Sequence, residues 1–192
     1  MKRSAVVFTL VGLSMAVAAF AQGGARVLFD GKSLNGWDQV GDANWTIADG
    51  AAQATEGKGG HLVSKEQFAD FELTAEVWVE TAKTNSGVFI RCQDPKSISA
   101  KNCYEINIWD GRPEQDFATG GIVNVAKVIT PTRVAGQWAT VAITARGPKM
   151  MVTVNGTKTA EGEHTQFARG FITLQFGGPG TVRFRRVQLR PL

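Results

Sequence analysis

The sequence predicts an all-β protein in which two antiparallel sheets pack face to face, as a jelly roll or a related sandwich. Two observations carry that prediction. Short segments alternate apolar and polar residues with a period of two, and explicit turn signals separate them. No stretch beyond the N-terminal apolar run reads as a long helix, and only Ser64 to Asp70 suggests a helical turn.

The clearest strand is Phe71 to Glu80, where Phe71, Leu73, Ala75, Val77 and Val79 share one face and the acids, Thr74 and Trp78 share the other. Val88 to Cys92 follows. Tyr104 to Trp109 repeats the alternation, with Tyr104, Ile106 and Ile108 inward and Glu105, Asn107 and Trp109 outward. Further strands fit Trp138 to Ala145, Met150 to Val154, Phe171 to Phe176 and Val182 to Leu189. Gly147-Pro148 and Asn155-Gly156 are turn dipeptides, the second suited to the positive φ angles of a tight hairpin. In the last strand the apolar phase slips by one residue at Arg185-Arg186, the mark of a β-bulge; two solvated arginines on an edge strand would give the same spacing.

The N-terminus bounds the compartment. Lys2 and Arg3 precede an apolar run from Ala5 to Phe20 and the small-x-small triplet Ala19-Phe20-Ala21, which predicts a secretory signal peptide over residues 1–21. A membrane anchor is the alternative, but the run is short and contains Thr9, Gly12 and Ser14. Residues 22–192 then form one domain in the periplasm or outside the cell, with no membrane insertion after cleavage. The formal charge of +4 falls to +2 without Lys2 and Arg3, and no basic run suggests a nucleic-acid partner. Nothing in the sequence indicates an oligomeric state.

Cys92 and Cys103 flank a polar loop, and an oxidising compartment favours their pairing over two free buried thiols. Neither has the context of a catalytic thiol. His61 and His164 match no metal-ligand spacing and default to the surface, with His61 a candidate base near a sheet rim. Gly177-Gly178-Pro179-Gly180 precedes a strand and reads as a turn rather than a phosphate loop.

Sugars are held by flat aromatic faces and by planar polar groups that bond two hydroxyls. If the strands carrying them are neighbours, one sheet face presents Arg91, Glu105, Asn107, Trp109 and Gln175 together; an ordinary solvated face is the alternative. Glu105-Ile106-Asn107-Ile108-Trp109-Asp110 superficially resembles the E-x-D-x-x-E of jelly-roll β-glucanases. Asn107 replaces the central Asp, and Asp110 should face away from Glu105, against a double-carboxylate mechanism.

Leu28-Phe29-Asp30-Gly31-Lys32-Ser33-Leu34-Asn35-Gly36-Trp37 resembles the opening "LFNGKDLSGW" of the 3-keto-disaccharide hydrolase domain family. The resemblance continues through Asp70 to Leu73, Asn85-Ser86-Gly87-Val88-Phe89-Ile90-Arg91, Tyr104 to Ile108, Gly136-Gln137-Trp138 and Phe184-Arg185, in the family's order. The chain departs from it at Asn107, where the family usually has Gln, at Gly177, where it has His, and at Arg186, where it has Asn.

The resemblance implies a concanavalin A-like jelly roll, export, and action on glycosides whose C3 hydroxyl has been oxidised. A C3 ketone acidifies the C2 hydrogen, so a base can remove it and the C1 substituent can leave, with or without water adding back. For that chemistry we expect Glu105 as base or acid, Arg91 and Arg185 as enolate stabilisers, Asn85, Asn107 and Gln175 as hydroxyl clamps, and Trp109 as a stacking surface. A divalent metal is a possible cofactor in place of an arginine, although no ligand set stands out. The rival expectations are a non-catalytic carbohydrate-binding module and a hydrolase of unoxidised β-glucans.

Overall fold

The structure is a computed structural model that describes residues 24–192. The expected signal peptide, 1–21, lies outside the described residues. The strands are β1 (Arg26–Phe29), β2 (Trp37–Gly41), β3 (Thr46–Ala48), β4 (Ala51–Ala54), β5 (Gly60–Phe68), β6 (Phe71–Val79) and β7 (Asn85–Cys92). They continue with β8 (Tyr104–Ile108), β9 (Ala139–Arg146), β10 (Lys149–Val154), β11 (Thr157–Glu163), β12 (Gly170–Gly178) and β13 (Val182–Pro191). One 3₁₀ turn, Gln115–Phe117, is the sole helical element among the described residues.

The larger sheet runs β11-β10-β9-β6-β13-β4-β3, with β1 also paired to β13, and the smaller runs β2-β5-β12-β7-β8. Every named pairing is antiparallel, so the two-sheet sandwich expected from the alternation is the observed fold. The core lies between the sheets. Leu73, Val77, Ile143 and Phe184 of the larger sheet share it with Leu62, Ile90, Ile106 and Leu174 of the smaller, all essentially inaccessible. Burial of each such side chain stabilises by about 1.5–3 kcal/mol. No helix of the described residues is long and apolar enough to cross a membrane.

Local signals are realised closely. Asn155 (φ 51°) and Gly156 (φ 79°) join β10 to β11 as the left-handed pair of a hairpin turn, and the Asn155 carboxamide accepts from Thr140 N–H at 2.9 Å. The bulge at Arg185-Arg186 is present: Arg186 has φ 50°, and pairing with β6 shifts register between Arg185 and Gln188. Ser64 to Asp70 is not a helical turn, because β5 continues through it to Phe68 between β2 and β12. The Ser64 hydroxyl sits at a register shift there, accepting from Ile172 N–H and donating to Glu66 O.

Cys92 and Cys103 are joined. The loop they close folds back on the outer face of the smaller sheet, where Ile98 and Phe171 pack on Phe89 and the two cysteines in a cluster separate from the main core. That arrangement gives the smaller sheet two buried faces at one end and an accessible outer face at the other.

Candidate functional site

Strand register assembles the outer face of the smaller sheet in rows. His61 of β5, Gln175 of β12, Gly87 of β7 and Asn107 of β8 are successive cross-strand partners. The next row contains Val63, Thr173, Phe89 and Glu105. Continuing the β7–β8 register by one pair sets Asn85 opposite Trp109. Glu105, Asn107, Trp109, Asn85 and Gln175, predicted from period-two spacing, therefore share one region because β12, β7 and β8 are neighbours.

Gly87 leaves a gap in the row of side chains on this surface, and the Gln175 and Phe89 side chains close over it. A Cβ there would stand 3.2 Å from Gln175 Oε1, 3.2 Å from Phe89 Cε2 and 3.3 Å from Ile106 O. At the rim, a Cβ on Gly177 would collide with the Asn85 carboxamide at 2.6 Å. Glycine at both places lets side-chain amides lie flat against the sheet.

The polar atoms around the gap are unusual. Among the described residues, seven buried side-chain N or O atoms lack a hydrogen-bond partner, and five of them belong to Asn85, Asn107, Trp109, Arg112 and Gln175. Buried polar groups are nearly always paired, at a cost of about 1–3 kcal/mol each when they are not. Their gathering at one end of three adjacent strands marks a surface built for something other than stability.

Burial also sets the ionisation of this face. It raises the Glu105 carboxyl above the usual glutamate range, and the Arg112 guanidinium partly offsets the rise. Burial pushes His61 down to about 4, so its imidazole is neutral near pH 7. His61 Nδ1 is 3.1 Å from the Thr173 hydroxyl, and its ring meets Phe89 edge to face with centroids 5.2 Å apart.

A cleft of about 490 Å³ adjoins the gap, and His61, Asn85 and Gln175 line it together with Lys58, Lys96 and Ile98. Its walls are the β4–β5 turn on one side and the disulfide-closed loop on the other. The sequence reading missed most of this cleft. His61 stands at the rim where it was a candidate base, whereas Lys58 and Lys96 lie in loops whose approach depends on tertiary folding.

Three predicted residues stand elsewhere or are occupied. Arg91 does not reach the outer face: its φ of 52° turns the side chain inward, where the guanidinium is wholly buried. It donates to Ala69 O (3.0 Å), Gly147 O (2.7 Å), Phe167 O (3.2 Å) and Asp70 Oδ1 (3.0 Å), which makes it a strut between loops rather than an enolate stabiliser. Arg185 lies on the larger sheet, where it shares the Glu76 carboxylate with Arg186 and stacks on Trp138 at 3.9 Å. Asn107 lies in the predicted row but is fully buried, its Nδ2 donating to Phe117 O at 2.6 Å, so it holds the following loop instead of clamping a hydroxyl.

Asp110, the second acid of the glucanase-like spacing, is also buried. Its carboxylate accepts from the Thr119 hydroxyl and from Val134 and Ala135 N–H, leaving Glu105 without a carboxylate partner from that motif. Among the described residues no three His, Cys, Asp or Glu side chains converge as a metal-ligand group.

The model of a family described as the 3-keto-alpha-glucoside-1,2-lyase-like domain matches residues 24–190. A 3-keto-disaccharide hydrolase from Bacteroides thetaiotaomicron is 36% identical over 86 residues, 38% of this chain. The chain spans only 29% of that relative's length. A Parabacteroides distasonis protein assigned as a glycosyl hydrolase superposes with TM-score 0.76 at 17% identity, over 88% of this chain and 94% of its own. The carbohydrate-binding module CBM66 of Bacillus subtilis superposes with TM-score 0.62 at 16% identity, over 81% of this chain and 95% of its own. At such identities the two structures are alike in fold.

Proposed function

The chain belongs to the 3-keto-alpha-glucoside-1,2-lyase-like domain family, and from that membership we propose that it cleaves 3-keto-glycosides on the outer face of its smaller sheet. The observation that carries the reading is the set of partnerless polar atoms gathered around the Gly87 gap beside Glu105. A sugar ring laid over the gap meets the carboxamides of Asn85 and Gln175 and the indole of Trp109, which supply hydroxyl contacts and a stacking surface.

Glu105 removes the C2 proton. The electron pair passes toward the C3 carbonyl as an enolate, and its return expels the C1 oxygen substituent, leaving a double bond between C1 and C2. The protonated Glu105 carboxyl then hands its proton to the departing oxygen. Water adding across the new double bond gives net hydrolysis; without it the reaction is a lyase reaction. A carboxyl raised by burial is a stronger base than an ordinary glutamate. Arg112, the cation that acts on Glu105, takes the enolate-stabilising role expected of Arg91.

The reaction takes place after export, in the periplasm or outside the cell. The N-terminal pattern and the Cys92–Cys103 disulfide support that location.

The test is to incubate the protein with a 3-keto-disaccharide and with its unoxidised parent, with and without divalent cations, and to follow released sugar. Cleavage of the keto form alone is expected. Cleavage of the parent would make the chain a hydrolase of ordinary glycosides, and binding without turnover would make it a carbohydrate-binding module.

A further inference from the structure

The cleft beside the Gly87 gap carries a charge pattern that the elimination chemistry does not use. Its lining contains Lys58 and Lys96 and no aspartate or glutamate. The lysines approach from opposite walls, and among the described residues neither makes an ion pair. Elsewhere on the surface Arg190–Glu72 and Lys158–Glu161 are ion pairs.

Both lysines stand on fixed backbone. Asp42 Oδ1 accepts from the Lys58 and Gly59 amides at 2.7 and 3.0 Å, and Asp42 N–H returns a bond to Gly59 O at 3.0 Å. Lys96 N–H donates to Asp94 Oδ1 at 2.8 Å, within the loop that the disulfide closes and Ile98 anchors on Phe89. The carboxylates of Asp42 and Asp94 are thus directed to main-chain amides rather than to the ammonium groups. Two exposed ammonium groups remain on positioned stems, at a cleft lined by a neutral imidazole and two carboxamides.

We infer that this cleft receives an anionic part of the saccharide, a carboxylate or sulfate on the moiety next to the ring at the Gly87 gap, held between Lys58 and Lys96. Asn85 and Gln175 border both places, so a two-residue saccharide can occupy gap and cleft at once. The inference rests on the proposed sugar site, but it concerns charge selection in binding and is independent of which bond is broken.

Calorimetric titration of the full chain with a neutral disaccharide, with the aldobiouronic acid of the same linkage and with a monosulfated form separates the two. The acidic sugars are expected to bind about tenfold more tightly than the neutral one at low ionic strength, and most of that gain should vanish near 0.3 M salt. The K58Q/K96Q double variant should lose the preference while keeping its affinity for the neutral sugar. Binding of the sulfated form alongside the uronate places the selection on charge; binding of the uronate alone places it on the planar carboxylate. Equal affinity for all three sugars, a preference that survives in the double variant, or no binding of either acid at millimolar concentration overturns the inference. A protein that cleaves neutral 3-keto-disaccharides without charge preference retains the proposed function and loses this subsite.

Discussion

Gly87→Ala tests the placement of the substrate with a single methyl group. The backbone at Gly87 is ordinary strand, so alanine carries no conformational penalty there. The added carbon would meet Gln175 Oε1 and Phe89 Cε2 at 3.2 Å and Ile106 O at 3.3 Å, contacts relieved by shifts of a few tenths of an ångström in two side chains. Overpacking of this kind costs about 1–3 kcal/mol, and replacing a strand glycine recovers roughly 0.5–1 kcal/mol. The balance is a loss of about 1 kcal/mol, or a fall in Tm of about 2–4 °C for a domain of this size. The methyl group, however, displaces the Gln175 carboxamide that covers Gly87, a group proposed to hold the sugar. A displacement near 1 Å costs on the order of a hundredfold in rate where reacting atoms must be held in line. Thermal unfolding and kcat/KM on a 3-keto-disaccharide, measured on the same preparation, should therefore separate: nearly native Tm, about a hundredfold less activity. Native activity in a folded G87A protein would refute the placement of the sugar over Gly87.

The remaining expectations follow from burial and hydrogen bonding. Glu105→Gln should abolish turnover, and it should also raise stability at neutral pH. The folded carboxyl titrates above its unfolded value, so the cost of burying the anion grows as pH rises from the unfolded value and is complete above the raised one, and the neutral amide removes it. Unchanged turnover would remove Glu105 from the reaction. His61 is depressed from 6.5 to about 4, so its contribution to stability is whole above pH 6.5 and is lost as pH falls from there toward 4, by at most about 3 kcal/mol. Denaturant titrations at pH 7 and pH 4 should differ less in His61→Gln than in the native protein; an equal difference would show that another group governs the range. Arg91→Met should destabilise the fold by about 3 kcal/mol, since three carbonyls and Asp70 lose their donor. Under folded conditions it should leave KM near native, whereas a large rise in KM with native stability would return Arg91 to the substrate.

The fold was legible because its two periodic strands are unambiguous, and the same period put Glu105, Asn107 and Trp109 on one side of β8. What period two states is direction; it does not state what later folds over that direction. Asn107 points outward and is nonetheless sealed, because Gly120 N–H and Gly121 O pair with its backbone and Phe117 O receives its amide. The two bulges show the same limit. The slip at Arg185-Arg186 was visible because the apolar phase changes on either side of it. The turn at Arg91 was not, because Val88-Phe89-Ile90 is apolar on both faces and leaves no phase to break.

That double apolar run also explains how the site is supported. Phe89 would expose an aromatic ring on the outer face were it not for the disulfide loop, which brings Ile98 over it and buries it. The segment after β8 seals the opposite edge through Asn107. Between these two covers remains the strip around Gly87, where the partnerless polar atoms concentrate. Several such atoms together oppose folding by several kcal/mol on the order-of-magnitude scale for buried unpaired groups. A surface that costs this much is retained only beside a core able to offset it, which the inner faces of the two sheets supply. The stabilising and proposed functional residues accordingly alternate along the same strand: Ile106 and Ile108 hold β8 to the core while Glu105 and Trp109 lie on the outer face proposed to bind the sugar, so substitutions one residue apart should divide between loss of stability and loss of activity.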